Sequence, residues 1–206
     1  MLVLLGFILL VLGIKSPMIL IAPLWIFVTL FRERLNSLTK SLPLPAVFIF
    51  FGTLFGLLVE IFAILDNLPR PETERILLSP NPPTDLFLGF FYYSFVVVTW
   101  YFLLRKIRFS KREVFALTGL LGIATEQAGA IFFGIFLSPL GIIVAIAVAS
   151  IYGVFPYLAY VITENRFDSS RTPRTFWHYP LATFALFIQW AIFGLFVLPF
   201  LKSLLS

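Results

Sequence analysis

Five polar side chains set inside long apolar runs hold the chemistry this sequence has to offer: Glu60, the consecutive Thr125, Glu126 and Gln127, and Gln189. An ionisable group at bilayer depth costs several kcal/mol when it faces lipid, so it turns toward protein or a wet cavity. In low dielectric a carboxyl favours its neutral form, which can donate a hydrogen bond, carry a proton or act as a general acid. Thr125, Glu126 and Gln127 lie about 100° apart on a helix and cannot all face one point, so at least one must reach a neighbouring helix. These five residues are expected to form a polar site for a small ligand, a proton or a cation. The same acids can instead only lock helices together by hydrogen bonding. Lys15 is a further charge, which needs an acidic partner if its helix is continuous.

Several chemistries are excluded. There is no Cys, which removes disulfides, thiolate metal sites and cysteine nucleophiles. His178 is the single histidine, and zinc is left nearly without ligands. No nucleotide-binding loop, hydrolase elbow or kinase signature occurs, so ATP-driven chemistry within this chain is excluded and no cofactor or metal is expected.

The surrounding composition defines the solvent. Of 206 residues, 60% are apolar and 12% charged, against roughly 25% charged in a soluble domain. With 26 Phe there is too little polar surface to cover a soluble globule, and the chain reads as one integral membrane domain, an all-α bundle. Runs at 44–65, 86–104, 114–137, 139–162 and 180–201 each meet the length of about 20 residues that a helical span needs. Residues 2–31 read as one long helix kinked at Pro17 and Pro23, with a re-entrant pair of half-helices as the alternative. That makes six spans.

Basic residues cluster at 32–40, 105–112 and 166–174, whereas 66–85 is acidic and the turn at Ser138 uncharged. The basic loops are therefore expected on the cytoplasmic side of a plasma or inner membrane, with both termini outward. The N-terminus lacks a basic n-region and reads as a retained segment. The net charge of +5 is explained by these topology signals and by contact with anionic lipids, and no loop is long enough to bind nucleic acid. The proline-rich 66–85 loop reads as a stiff surface connector rather than a lid carrying Ile76, Leu77 and Leu78. Thr84 or Asp85 is expected to cap the third span, Asp66 and Asn67 to be caps or solvated ends, and His178 to be filler in an interfacial aromatic belt.

Small residues four apart let membrane helices approach. Three ridges carry them: Gly52, Gly56 and Glu60; Gly122, Glu126, Ala130 and Gly134; and Gly141, Ala145, Ala149 and Gly153. These faces are expected to form the bundle interface and to be available for homo- or hetero-oligomers. Glu126 lies about 18 Å along its span, near the midplane, with Glu60 about one turn nearer the outer face. Candidate partners for Glu126 are Tyr92, Tyr93, Ser94 and Thr99, then Ser150, Tyr152 and Tyr157, and Gln189. Three functions fit: a bundle that binds or transports a small hydrophobic or cationic ligand, an enzyme acting on a lipid or isoprenoid with Glu126 as general acid, and a non-catalytic assembly subunit.

Overall fold

The computed structural model describes residues 2–13 and 16–205 of the chain, and Lys15 lies outside the described residues. It is an all-α bundle. The helices are α1 (Leu2–Gly13), α2 (Ile21–Leu38), α3 (Leu44–Asn67), α4 (Pro82–Lys106), α5 (Lys111–Thr125), α6 (Ala130–Leu137), α7 (Pro139–Thr163), α8 (His178–Ile192) and α9 (Leu198–Leu205). Five stretches are long and apolar enough to cross a membrane: α3, α4, α5 with α6, α7 with the turn after it, and α8 with α9. Helix α7 is central and packs on α2, α3, α5 and α6. Large apolar side chains such as Phe133, Phe136, Leu137 and Ile143 cover the outside, while Trp100, Phe48, Phe109, Phe155 and Tyr160 fill the interior. An apolar exterior around an apolar core is the pattern of a protein dissolved in lipid.

The first segment corrects the expectation of a single kinked helix. A 3-10 turn at Pro17–Leu20 follows α1, and α2 folds back along α1 so that Gly6 meets Phe27 and Gly13 meets Leu20. Proline lacks the N–H that would continue the ladder, and Ser16 before it is extended, so the chain reverses rather than bends. Neither piece is among the five stretches long enough to cross.

Local chemistry sets the helix starts. Asn81 accepts from the Thr84 N–H at 3.1 Å, Ser138 accepts from Gly141 at 3.1 Å, and each is followed by a proline at the first helical position. Asn81, not Thr84 or Asp85, is thus the cap of α4. Ser110 and Glu113 form a reciprocal capping box on α5.

The three basic loops meet at one end. Strands β1 (Ile107–Arg108) and β2 (Thr172–Pro173) pair in parallel, Lys111 bonds Glu164 at 2.6 Å, and Arg174 pairs with Glu113, which also accepts from Tyr179. Arg166 donates to the carbonyls of Thr39 and Leu42. Arg171 is the buried centre of this latch: it donates to Asp168 O at 2.8 Å, Leu104 O at 3.0 Å and the Tyr160 hydroxyl at 3.3 Å, with its guanidinium 5.0 Å from the Phe167 ring centroid. His178 accepts from the Thr175 N–H at 2.8 Å and fastens the turn before α8.

Arg171→Ala removes these charged hydrogen bonds and is expected to cost about 2 kcal/mol. Thermal unfolding measures the loss, and amide exchange in residues 164–178 is expected to accelerate well before exchange in α3.

Candidate functional site

The third crossing, Lys111–Leu137, is not one helix. α5 ends at Thr125, a 3-10 turn runs over Glu126–Gly129, and α6 starts at Ala130. Within the turn Gln127 (φ 49°), Ala128 (φ 56°) and Gly129 (φ 88°) are all left-handed. For a residue with a Cβ that conformation costs about 1–2 kcal/mol. The three consecutive polar residues resolve their facing problem by breaking the helix. Thr125 returns its hydroxyl to Leu121 O at 2.8 Å, Glu126 turns inward, and Gln127 points to an exposed position at the cavity rim.

Each inward carboxyl is held by a tyrosine of a neighbouring helix. Tyr93 of α4 donates to Glu60, and Tyr152 of α7 donates to Glu126. A glycine one turn ahead makes each pairing feasible, since a Cβ on Gly56 would overlap the Tyr93 ring and one on Gly122 the Tyr152 ring. The expected small-residue ridges are thereby occupied within the chain: Gly52 meets Val97, Gly119 meets Ala149, and Gly134 meets Gly141. Of the other candidate partners, Tyr92 crosses the rings of Tyr93, Tyr152 and Phe193 edge to face and lies in the electrostatic reach of both glutamates. Ser94 pairs with Thr53 at 3.2 Å, Thr99 and Ser150 bond their own helices, and Tyr157 meets Trp25 and Phe115 edge to face.

Between these groups lies a cavity of ≈ 320 Å³. Its polar wall is Glu60, Glu126, Thr125 and Gln127; its aromatic wall is Tyr92, Tyr93, Tyr152, Trp190 and Phe193. Ile76, Leu77 and Leu78 of the long loop also line it, so that loop covers the bundle mouth instead of serving as a remote connector. No Lys, Arg or His among the described residues lines the cavity. The last crossing is irregular here too: Phe193–Val197 forms a π-helical turn, and Gly194 within it faces open space. Single π turns cluster at functional sites. Pro156 in α7 has no N–H to offer the Tyr152 carbonyl one turn earlier, so all three crossings bend their backbone rules at this cavity.

Behind Glu60 sits an acid that the sequence reading assigned to a cap. Asp85 is fully buried; one oxygen accepts from the Ser79 N–H at 2.9 Å, the other has no protein donor, and the side chain interacts with Glu60. Gly89 brings Glu60 against the first turns of α4, where Asp85 sits, and no local pattern in the sequence marks that approach. Asn67 is buried rather than solvated: it donates to Ala63 O at 2.9 Å and accepts from Ile76 N at 3.1 Å, tying the loop to α3. Gln189 stands apart. It is buried between α8 and α4 and lines a different groove. Among the described residues no group of three metal-ligating side chains comes together. Comparison with protein-family models, curated proteins and solved structures finds no match for this chain.

Two stability outcomes follow. Gly122→Val displaces the Tyr152 ring and is expected to cost about 1–3 kcal/mol in thermal unfolding. Ala128→Gly removes a left-handed Cβ and is expected to stabilise by about 1 kcal/mol in the same measurement; a destabilised Ala128→Gly would contradict the broken-helix geometry.

Proposed function

We propose that this protein binds a small organic cation in the cavity between Glu60 and Glu126 and carries it across a plasma or inner membrane in exchange for protons. The observation that supports this reading most is the convergence of two tyrosine-held glutamates, from separate helices, on one cavity that no described basic side chain lines. An acidic chamber with aromatic walls suits an ammonium with an apolar body, because ring faces attract a cation while the carboxyls neutralise it. A bare metal ion would want a tighter cage of oxygens than two carboxyls on separate helices supply. Charge balance then gives the exchange: a cation entering between protonated acids displaces a proton, and a returning proton displaces the cation.

The position of the site favours transport. Tyr93 and Tyr152 lie near the middle of 25-residue helices, about 17–20 Å from either helix end. Broken helices at that depth are where transporters place their substrates. In this reading the latched basic end is cytoplasmic, and the loop over the cavity and the C-terminal end of α9 are outward, whereas the fold-back of α1 along α2 does not fit the expected outward N-terminus. Glu126 and Glu60 bind the cation, Thr125 and Gln127 line the entrance, and Tyr93 and Tyr152 position the acids.

The natural absence of Cys gives a direct test. Gly194→Cys places one thiol in open space at the cavity wall. In proteoliposomes, a trimethylammonium methanethiosulfonate is expected to modify it about tenfold or more faster than the sulfonate analogue, the ratio that one attracted charge at intermediate dielectric produces. Adding Glu60→Gln and Glu126→Gln is expected to remove that preference. Equal rates, or complete protection from both reagents on both sides, would overturn the proposal.

A further inference from the structure

A second groove, independent of the acidic cavity, lies on the lipid-facing side between α4 and α8. It measures ≈ 610 Å³ and is walled by Phe95, Val98, Phe184, Ile188 and Ile192. Gln189 lines it, only 6% exposed, and neither its Nε2 nor its Oε1 has a hydrogen-bond partner. No hydrogen bond joins it to the polar groups beside it, Ser94, which pairs with Thr53, and Thr99, which donates to the Phe95 carbonyl. An amide at this depth has no water to turn to, and leaving it unmatched in hydrocarbon is costly. Among the described residues nothing meets it.

We propose that the groove binds an uncharged long-chain lipid alcohol, with its hydroxyl on the Gln189 amide and its chain along the Phe184, Ile188 and Ile192 ridge. A hydroxyl both donates and accepts, and so satisfies Nε2 and Oε1 together. Gln189 lies eleven residues beyond His178, about 17 Å along the helix, where a phosphate or ammonium headgroup does not reach. A mostly apolar pocket of this size with one placed polar group is the form of a small-molecule site. A second transmembrane helix fits poorly, because close helix approach needs small residues and this ridge is Phe, Ile and Ile at four-residue spacing.

The test uses the full chain in phosphatidylcholine nanodiscs and hexadecanol carrying a diazirine in its chain. Photolabel is expected in peptides spanning 94–99 and 184–192, suppressed by hexadecanol and not by hexadecane. Gln189→Leu is expected to lower that labelling about tenfold, the loss that follows when a buried hydrogen bond is removed. Ile188→Trp, which fills the groove from its exposed wall, is expected to do the same, so the proposal stays testable if Gln189→Leu folds poorly. Label spread evenly over lipid-facing helices, equal competition by hexadecane, or undiminished labelling of both variants overturns it. Disulfide-linked dimers of Gln189→Cys would overturn it in favour of a second copy of the chain.

Discussion

A carboxyl inside a bilayer needs a donor that comes from protein, and this chain supplies one twice by the same means. Gly56 precedes Glu60 by four residues, and Gly122 precedes Glu126 by four. Residues four apart lie on one helix face. A missing Cβ on that face lets a tyrosine from the next helix lie flat on the backbone, and its hydroxyl then reaches the glutamate one turn on. The pairing fixes α3 against α4 and α5 against α7. Since Tyr93 also meets Phe155 of α7 edge to face at 4.9 Å, the two pairs are locked to each other. The cavity is what remains between them.

Backbone irregularity gathers at the same place. A lipid-exposed helix cannot leave its amides unpaired, so a break at bilayer depth is tolerated only where it borders protein or a cavity. The left-handed turn at Gln127–Gly129, the π turn at Phe193–Val197 and the proline beyond Tyr152 all satisfy that condition. The two left-handed residues with a Cβ cost about 1–2 kcal/mol each. That cost is borne at a position whose side chain, Glu126, would otherwise have to point along the helix surface. Strain and site are one feature of the chain, because the break is what aims the acid.

How far the sequence alone reached depended on whether a signal was local. Span lengths, small-residue ridges and inward-facing glutamates are all written in periodicity, and the structure has five apolar crossings, one of them broken, with close helix contacts at Gly52, Gly122 and Gly134. The hairpin of α1 and α2 was not legible in hydropathy, because a Ser-Pro junction between two apolar runs has the same composition whether the chain bends or reverses. The cap of α4 falls on Asn81 ahead of two prolines, which places Asp85 inside the first turn as a buried acid instead of at a solvated end. Gln189, a candidate polar partner of Glu126 by residue type, faces a different groove. Depth does not give the rotation of α8, which the contact with α4 and the π turn after Ile192 together set.

The two ends of the bundle are built differently, and the difference bears on how the cavity communicates with its surroundings. At the basic end, side chains reach across elements: Arg166 to the α2–α3 turn, Lys111 to Glu164, Arg171 to the end of α4. At the opposite end, Arg75 donates to the carbonyls of Leu68, Arg70 and Pro80, all within its own loop, which therefore closes on itself as a unit. That unit is held to the helices by Asn67 on one side and by Asp85, through Ser79, on the other. What it places over the cavity is apolar, Ile76, Leu77 and Leu78, with no hydrogen bond into the chamber among the described residues. The cover itself is non-directional apolar contact, whereas opening the basic end strands the buried Arg171 guanidinium. Under the proposed function the loop end is then the one that opens. Asp85 holds the loop backbone with one oxygen while its side chain lies beside Glu60, so cover and cavity share one buried acid.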